Sequence, residues 1–233
     1  SASFSPRQPQ TVALDVGLSG MRASLVLCSI MLVQDLVGRE ITQRSVVLTL
    51  SYPTSRASYL CGRYLGVLAL TGGAALLLAL LLWIAVLLSG LHFDQQFRVD
   101  LGGAYWAAVC ALWLDVAVVT AFTLWIATLS TVSMLPLALG VTFAIAGRAL
   151  GSVFDYVAKG GVGQVELTAR YGPLLDVIRW VLPDLSRLDW RAWPMYGLLP
   201  DPATMTLALA MALAYATVMI GLAVQAFARR EFS

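Results

Sequence analysis

The sequence predicts an all-α integral membrane protein, a polytopic helical bundle that spans the bilayer five times. Of its 233 residues, 59% are hydrophobic and only 12% are charged, with a mean hydropathy of +0.81. Soluble globular domains are about 25% charged. Apolar stretches of about 20 residues recur along the chain, and this length lets a helix cross the hydrocarbon core of a bilayer. The stretches lack the alternation of barrel strands, so helices are predicted.

The apolar stretches and their connections divide the chain as one transmembrane domain, residues 1–233. The first span is the weakest of the five, because Arg22, Gln34 and Asp35 lie near its two ends. The other four are apolar almost throughout. In chain order, we predict an external segment 1–15, a span 16–37, a cytoplasmic segment 38–62, spans 63–91, 103–129 and 134–153, an external segment 154–202, a span 203–228 and a cytoplasmic tail 229–233.

Orientation follows from arginine and lysine, which concentrate in the short cytoplasmic loops of membrane proteins. Two parts of the chain are basic: the connection at 38–62 with its flanks, and the tail that holds Arg229 and Arg230. Four spans separate them, and an even number places both on the same side. The sequence therefore predicts a multi-pass membrane protein with a cytoplasmic C-terminus.

An odd number of spans places residues 1–15 outside. The first ten residues are mostly polar, contain two prolines and do not resemble a signal peptide. We therefore expect a further span before Ser1 in the natural gene. The outer segment 154–202 is irregular, and within it the short apolar stretch 173–182 predicts a helix that lies in the membrane interface.

The cytoplasmic segment 38–62 carries the most informative pattern. A short helix of mixed polarity is predicted from about Glu40, and Pro53 interrupts it because a residue before proline disfavours the helical conformation. Thr54 or Ser55 can then cap a second helix that runs into the next span. This pattern predicts a rigid helical unit that is connected to a span at each end. The alternative is an ordinary connecting loop.

These residues resemble the signature of type-2 ABC transporter permeases, the family that includes the nitrous-oxide-reductase maturation permeases. The family pattern is an acid, a Gly-Thr pair, an apolar helix, a Ser-x-Pro-x-Ser-Arg turn and a glycine before the next span. This sequence departs from the pattern at Arg44, where glycine is usual. It departs mildly at Ser45, where threonine is usual, and at Arg63, where lysine is usual after the glycine. The matching residues are Glu40, Ser51, Pro53, Ser55, Arg56 and Gly62.

The resemblance implies a protein of six spans, the first of them absent here. It also implies that the chain is the permease subunit of an ATP-binding-cassette exporter in the bacterial inner (cytoplasmic) membrane. In that family the connection becomes a coupling helix seated in a separate ATPase subunit, which binds ATP and Mg²⁺. The resemblance also implies a second permease copy, expected to form a homodimer, and the outer segment offers a docking place for an external accessory protein. The residues expected at the ATPase contact are Arg39, Glu40, Arg44, Tyr52, Pro53, Thr54 and Arg56.

The chain itself is not predicted to be an enzyme. Lys159 is its only lysine and lies in a glycine stretch, so the phosphate-binding loop Gly-x-x-x-x-Gly-Lys-Ser/Thr is absent. The hydrolase pattern Gly-x-Ser-x-Gly and the zinc pattern His-Glu-x-x-His are absent as well. We expect no catalytic residue, metal site or cofactor here. Nucleic acid is not an expected partner, because the arginines are scattered among acids.

Two charged residues fall inside predicted spans. Asp115 lies near the middle of 103–129, where an isolated carboxylate costs roughly 2.5 to 3.5 kcal/mol on insertion scales. Arg148 lies in the outer part of the next span, and neighbouring spans run antiparallel, so it can pair with Asp115 or Asp155. The pair is either structural or lines a path for a polar substrate.

Two other function classes stay open at this point. One is a non-transporting membrane scaffold that anchors an ATPase, which the sequence does not separate from an exporter. The other is a secondary transporter, although that class often shows inverted repeats and helix breaks at mid-membrane. Here no repeat is visible and Pro136 lies near a span end. The identity of the substrate is not predicted.

Overall fold

A computed structural model describes residues 9–38, 55–90, 99–132, 134–158 and 182–229. Within these ranges every regular element is helical, which confirms the predicted all-α fold. The elements are α1 (Pro9–Val33), which continues into a π-helical turn (Gln34–Gly38), α2 (Arg56–Gly90), α3 (Gly103–Leu129), α4 (Leu135–Ala158), a 3-10 turn (Leu185–Leu188), the short α5 (Ala192–Tyr196) and α6 (Pro202–Arg229).

Among the described residues, four helices are long and apolar enough to cross a membrane: Gln10–Val37, Arg56–Ser89, Gly103–Leu129 and Pro202–Arg229. The span predicted at 134–153 coincides with α4, and the part of this helix whose side chains are described, Leu135–Gly151, is also apolar. Arg148 lies within this part.

Two helices begin earlier than the predicted spans. The first begins at Pro9, which suits the first helical position because proline has no N–H to leave unpaired there. The second begins at Arg56, and Ser55 caps it by accepting a hydrogen bond from the backbone N–H of Ser58 at 3.1 Å. The last residues of the segment predicted as a cytoplasmic connection therefore belong to a long helix. The interfacial helix predicted at 173–182 lies outside the described residues, except for Leu182.

The central element of the bundle is α3. It packs against α1, α2, α4 and α6. In its most apolar stretch, 72% of the residues are buried, against 22% in α2 and 28% in α6. Buried side chains surround the helix, including Tyr105, Leu112 and Leu124. A helix that is apolar all round belongs inside a bundle.

Contacts between helix ends show that α2 runs in the opposite direction to α1 and to α6. The start of α1 meets the end of α2, because Gln10 Nε2 donates to the carbonyl of Val86 at 3.1 Å. The start of α2 meets the end of α6, where the rings of Tyr59 and Phe227 stack 5.8 Å apart. We call the end that holds Tyr59 and Phe227 the predicted cytoplasmic end, and the other the predicted outer end.

The outward face of α2 is almost purely aliphatic. Large exposed apolar faces are rare on water-soluble monomers, and lipid tails cover such a face without penalty. This surface agrees with a bundle surrounded by a bilayer. The exposed residues of this face are Leu65, Leu70, Leu76, Leu77, Leu80, Leu81, Ile84, Leu87 and Leu88.

Two glycines of α4 make room for the segment that follows the outer connection. A Cβ on Gly147 would lie 2.9 Å from Leu185 Cδ1. A Cβ on Gly151 would lie 2.6 Å from the Cβ of Ser186 and would also overlap its hydroxyl oxygen. The Gly-xxx-Gly spacing of these residues therefore serves close packing of the segment 183–186 against α4.

Substituting Gly151→Ala should destabilise the protein by about 1–3 kcal/mol, because the added methyl group overlaps Ser186 in a tightly packed contact. Unfolding of the purified protein in detergent, followed by tryptophan fluorescence, measures the change. Gly73→Ala is the matched control in an open part of α2, where no atom lies within 4 Å of an added Cβ. The control should unfold at the same temperature as wild type or higher. Equal loss of stability in both variants would contradict the packing described.

Candidate functional site

A buried carboxylate in the central helix forms the core of the candidate site. Asp115 lies near the middle of α3, roughly 20 Å from either helix end at the usual helical rise, and is fully buried. Arg148 of α4 donates from Nη2 to Asp115 Oδ2 at 2.5 Å. The Nε atom of Arg22 on α1 lies 3.6 Å from the same oxygen. Three helices are therefore joined through one carboxylate.

Arg22 extends the network toward the predicted outer end. Its Nη1 atom donates to Asp189 Oδ2 at 3.1 Å. Arg191 binds the same carboxylate through Nε at 2.7 Å and Nη2 at 2.6 Å, a two-point contact that is strong and geometrically specific. Its Nη1 atom donates to Asp15 Oδ1 at 3.1 Å and also to the hydroxyl of Ser19.

These six charged residues form an alternating chain that we call the charge ladder. It contains three guanidinium groups and three carboxylates, so it is neutral when all are ionised. It links three long helices to the outer segment between α4 and α6. In order, its members are Arg148, Asp115, Arg22, Asp189, Arg191 and Asp15.

Local sequence positions the two halves of the ladder. On α1, the spacing of Asp15, Ser19 and Arg22 by four and three residues places their side chains along one face. On the outer segment, the side chain of Asp184 accepts from the backbone N–H of Ser186 at 3.2 Å and starts the 3-10 turn.

A buried tryptophan fixes the second half of the outer segment. Trp190 Nε1 donates to the carbonyl of Arg187 at 2.9 Å. The indole packs with Ala108 and Ala111 on the surface of α3. Asp189 and Arg191 flank this anchor in sequence, so their charged groups are held beside α1.

The charge of Asp189 is stabilised by its neighbours. Burial alone disfavours ionisation, but the hydrogen bonds and positive charges of Arg191 and Arg22 outweigh it and lower the pKa of Asp189 to about 2. The same carboxylate raises the pKa of Arg191. Asp189 and Arg191 are therefore both ionised throughout the physiological pH range.

Part of the buried hydrogen-bonding capacity of the ladder is unused. Arg22 Nε, Arg148 Nε and Asp115 Oδ1 are buried and have no hydrogen-bond partner within the described residues. Buried polar groups are nearly always paired in proteins, and each unpaired one needs an explanation. Within the described residues, the inner part of the ladder, which comprises Arg148, Asp115 and Arg22, thus has two donors and one acceptor without a hydrogen-bond partner.

The structure brings together the two intramembrane residues singled out from the sequence, Asp115 and Arg148. The side chain of the alternative partner, Asp155, lies outside the described residues. Sequence reasoning missed Arg22, which was noted only as a polar residue near the end of a span. Its spacing from Asp15 along one helix face was the available signal. Asp189 and Arg191 carry no local signal, because their role depends on how the outer segment folds back.

The ATPase-contact residues expected from the sequence fall mostly outside the described part of the chain. Only Arg56 is described, at the first position of α2. Its Nη1 atom donates to the carbonyls of Phe227 at 3.3 Å and Ala228 at 2.9 Å. A cation that binds the last carbonyls of a helix also interacts favourably with the helix dipole. The residues outside the described ranges are Arg39, Glu40, Arg44, Tyr52, Pro53 and Thr54.

Aromatic contacts strengthen the joint between α2 and α6. Phe227 is fully buried and stacks on Tyr59, and the guanidinium of Arg63 lies 5.3 Å from the centre of the Tyr59 ring. One turn further, the Tyr64 hydroxyl donates to the carbonyl of Ala117 on α3 at 3.2 Å. The start of α2 is therefore joined to the end of α6 at the predicted cytoplasmic end and, deeper in the bundle, to the middle of α3.

Metal ligands are not grouped in the described ranges, where no three His, Cys, Asp or Glu side chains come close enough to hold an ion. The carboxylates of the ladder are paired with guanidinium groups instead.

The four long apolar helices, the aliphatic outer face and the neutral charge ladder define a polytopic helical membrane protein. The family model described as "ABC-2 family transporter protein" matches residues 8–232, nearly the whole chain. The chain therefore belongs to the ABC-2 transporter family, as a membrane component of ABC transport, and the predicted resemblance to type-2 ABC permeases is confirmed. No curated protein matches the chain.

Substituting Asp115→Asn should destabilise the protein by roughly 3–5 kcal/mol, because it leaves two guanidinium groups without their shared buried carboxylate. Arg148→Gln should cost less, since Asp115 keeps Arg22 nearby. Denaturant or thermal unfolding in detergent measures both changes. The double variant Asp115→Leu with Arg148→Leu removes a matched pair and should be more stable than Asp115→Asn alone. The reverse order would show that the pair does not act as a unit.

The contribution of Asp189 should be independent of pH above about 5. Its pKa is lowered from 3.8 to about 2 in the folded protein, so its stabilisation is complete above the unfolded-state pKa and is lost as the pH falls toward 2. Unfolding free energies of wild type and Asp189→Asn, compared from pH 8 to pH 3, should differ by a constant amount down to about pH 5. Below about pH 4 the difference should shrink. A change between pH 6 and 8 would contradict this assignment.

Proposed function

We propose that this chain is the permease subunit of an ATP-binding-cassette exporter, driven by an ATPase on a separate polypeptide. Family membership supports the transport role. The observation that carries the mechanism is the joint at the predicted cytoplasmic end, where Arg56 binds the last carbonyls of α6. Arg56 is the last of the residues expected at the ATPase contact, so a displacement there reaches two helices at once.

The joint provides a route for movement into the bundle. Both α2 and α6 pack against the central helix α3. The hydrogen bond from Tyr64 to Ala117 adds a direct link between the joint and a residue two positions from Asp115. A displacement of the coupling segment is therefore transmitted through α2 and α6 to α3, the helix that carries Asp115.

The individual residues are proposed to divide this work. Arg39, Glu40 and Arg44 supply charges for the ATPase surface, and Tyr52, Pro53 and Thr54 belong to the same contact. Arg56 acts as a positioning residue, because its guanidinium already binds α6. ATP and Mg²⁺ are bound by the partner subunit. A second copy of this chain in the bilayer completes the transport path. The location in the inner membrane, with the C-terminus in the cytoplasm, gives the ATPase access to ATP.

The pair of Asp115 and Arg148 is proposed to hold α3 and α4 together. Asp115 is 1% exposed and its Oδ2 atom is shared by two cations, so it contributes little surface to a solvent-filled path. Arg148 is more accessible, with 26% of its side chain exposed. The structural role therefore suits the carboxylate of Asp115, while the guanidinium group of Arg148 retains access to its surroundings.

Charge reversal at the coupling segment tests the proposal. Glu40→Arg should reduce recovery of the ATPase with the tagged permease by at least about tenfold, because an interfacial ion pair becomes a repulsion. Glu166→Arg, an equal reversal in the predicted external segment, is the matched control and should recover the ATPase as wild type does. Quantitative mass spectrometry of the complex purified from native membranes measures recovery.

A second variant separates contact from transmission. Arg56→Gln removes the guanidinium bonds to α6 and should leave ATPase recovery intact while abolishing the change in ATPase rate that the assembled permease causes. Recovery of no ATPase with wild type would overturn the proposal. An ATPase that binds but whose rate is the same with wild type, Arg56→Gln and no permease would favour the anchoring scaffold instead.

A further inference from the structure

The outer half of the charge ladder contains one carboxylate that a ligand can replace. Asp189 lies between Arg22 and Arg191, outside the long helices, and 25% of its side chain is exposed. Asp115 by contrast is 1% exposed and lies in the middle of the central helix. Of the two carboxylates that bind Arg22, only Asp189 is therefore open to competition from the outer side.

The charge of the inner ladder depends on Asp189. Arg22 and Arg148 contribute two positive charges against the single negative charge of Asp115, which leaves one positive charge in excess. Asp189 supplies the compensating charge to Arg22 at 3.1 Å. A group that takes the place of Asp189 must itself be negative, because a neutral group leaves a buried cation unpaired and a cation is repelled.

The hydrogen-bonding capacity of the site also matches an oxyanion. Arg22 retains a buried Nε–H group without a hydrogen-bond acceptor within the described residues, where Asp115 Oδ2 lies 3.6 Å away. A carboxylate, sulfate or phosphate group brings two or more acceptor oxygens, and guanidinium groups bind such groups with paired hydrogen bonds. The side chain of Asp189, held by the turn on which it lies, binds Arg22 through Nη1 and not through this donor.

We propose that this is an oxyanion-binding site, in which a carboxylate, sulfate or phosphate group of the substrate binds Arg22 and Arg191 in place of Asp189. The inference rests on the proposed transport function for its biological meaning, but the binding site itself does not. Exchange of one anion for another keeps the ladder neutral. The exporter would therefore select anionic substrates at its outer half.

The exchange does not require the outer segment to unfold. Leu185, Leu188 and Trp190 are buried and keep the segment attached to the bundle. Only the side chain of Asp189 must turn toward solvent, where a quarter of it is already exposed. Arg191, with 26% of its side chain exposed, remains beside the site to bind the incoming group.

Binding of inorganic phosphate and sulfate to the purified full chain tests the proposal. In a neutral detergent, the unfolding temperature should rise saturably with either oxyanion, compared with chloride at the same ionic strength. Asp189→Asn removes the competing carboxylate and should lower the apparent Kd for phosphate by about tenfold or more, since a charge-assisted contact is freed. Arg22→Gln, and the double variant Arg22→Gln with Asp189→Asn, should lose the response.

A matched variant controls for loss of charge on the same segment. Arg187→Gln removes one partner of an ion pair of 3.2 Å with Asp184 that does not touch Arg22, and this variant should keep the wild-type oxyanion response. Equal stabilisation by phosphate in wild type and Arg22→Gln would overturn the proposal, as would no saturable response in wild type and Asp189→Asn together.

A second arm distinguishes a lipid headgroup from a free anion. The protein is placed in nanodiscs of phosphatidylcholine alone or with phosphatidylglycerol, and phosphate binding is measured again. If phosphatidylglycerol competes with phosphate in wild type, the source is a lipid headgroup; if phosphate binds equally in both, the source is a soluble anion. Because the permease is tested without its ATPase, these outcomes are independent of whether Glu40→Arg uncouples the complex.

Discussion

The shared carboxylate of Asp115 is the interaction on which the arrangement of the bundle depends. A charged group at this depth of an apolar helix is unfavourable unless it is paired, at roughly 2.5 to 3.5 kcal/mol on insertion scales. The chain meets this requirement with guanidinium groups from two other helices, Arg148 at 2.5 Å and Arg22 at 3.6 Å. The orientation of α1, α3 and α4 about one point follows, since moving any of them breaks at least one of these two pairs.

The same requirement ties the outer segment to the membrane part. Arg22 serves two carboxylates, and the second, Asp189, lies on a turn whose position depends on the close approach of Ser186 to Gly151. Gly151 in α4 therefore allows the outer segment to approach the bundle, and Arg22 in α1 holds it there by binding Asp189. At the opposite end of the bundle, the joint of Arg56 with the end of α6 plays the equivalent part. The molecule thus has two polar attachment points separated by an apolar body.

Much of this arrangement could be predicted from the sequence, and the reason is physical. Apolar length alone identifies helices such as α3, because backbone groups have no alternative partners in lipid. The sequence left two partners for Arg148. Asp115 is one of them because helices that are neighbours in sequence run antiparallel, and Asp155 is the other because it lies near Arg148 in sequence. The parts of the ladder formed by Asp189 and Arg191 could not be predicted. Their contacts join residues more than 160 positions apart and depend on how an irregular segment returns to the bundle.

The two ends of the bundle carry distinct chemistry that fits a transport subunit with a separate ATPase. Site-specific photo-crosslinking in native membranes tests this central claim most directly, with p-benzoylphenylalanine at Tyr52 or at the exposed Leu198. The account predicts an adduct with the ATPase from position 52 and none from position 198. An ATPase adduct from position 198, or none from position 52 in a complex that retains the ATPase, would contradict it.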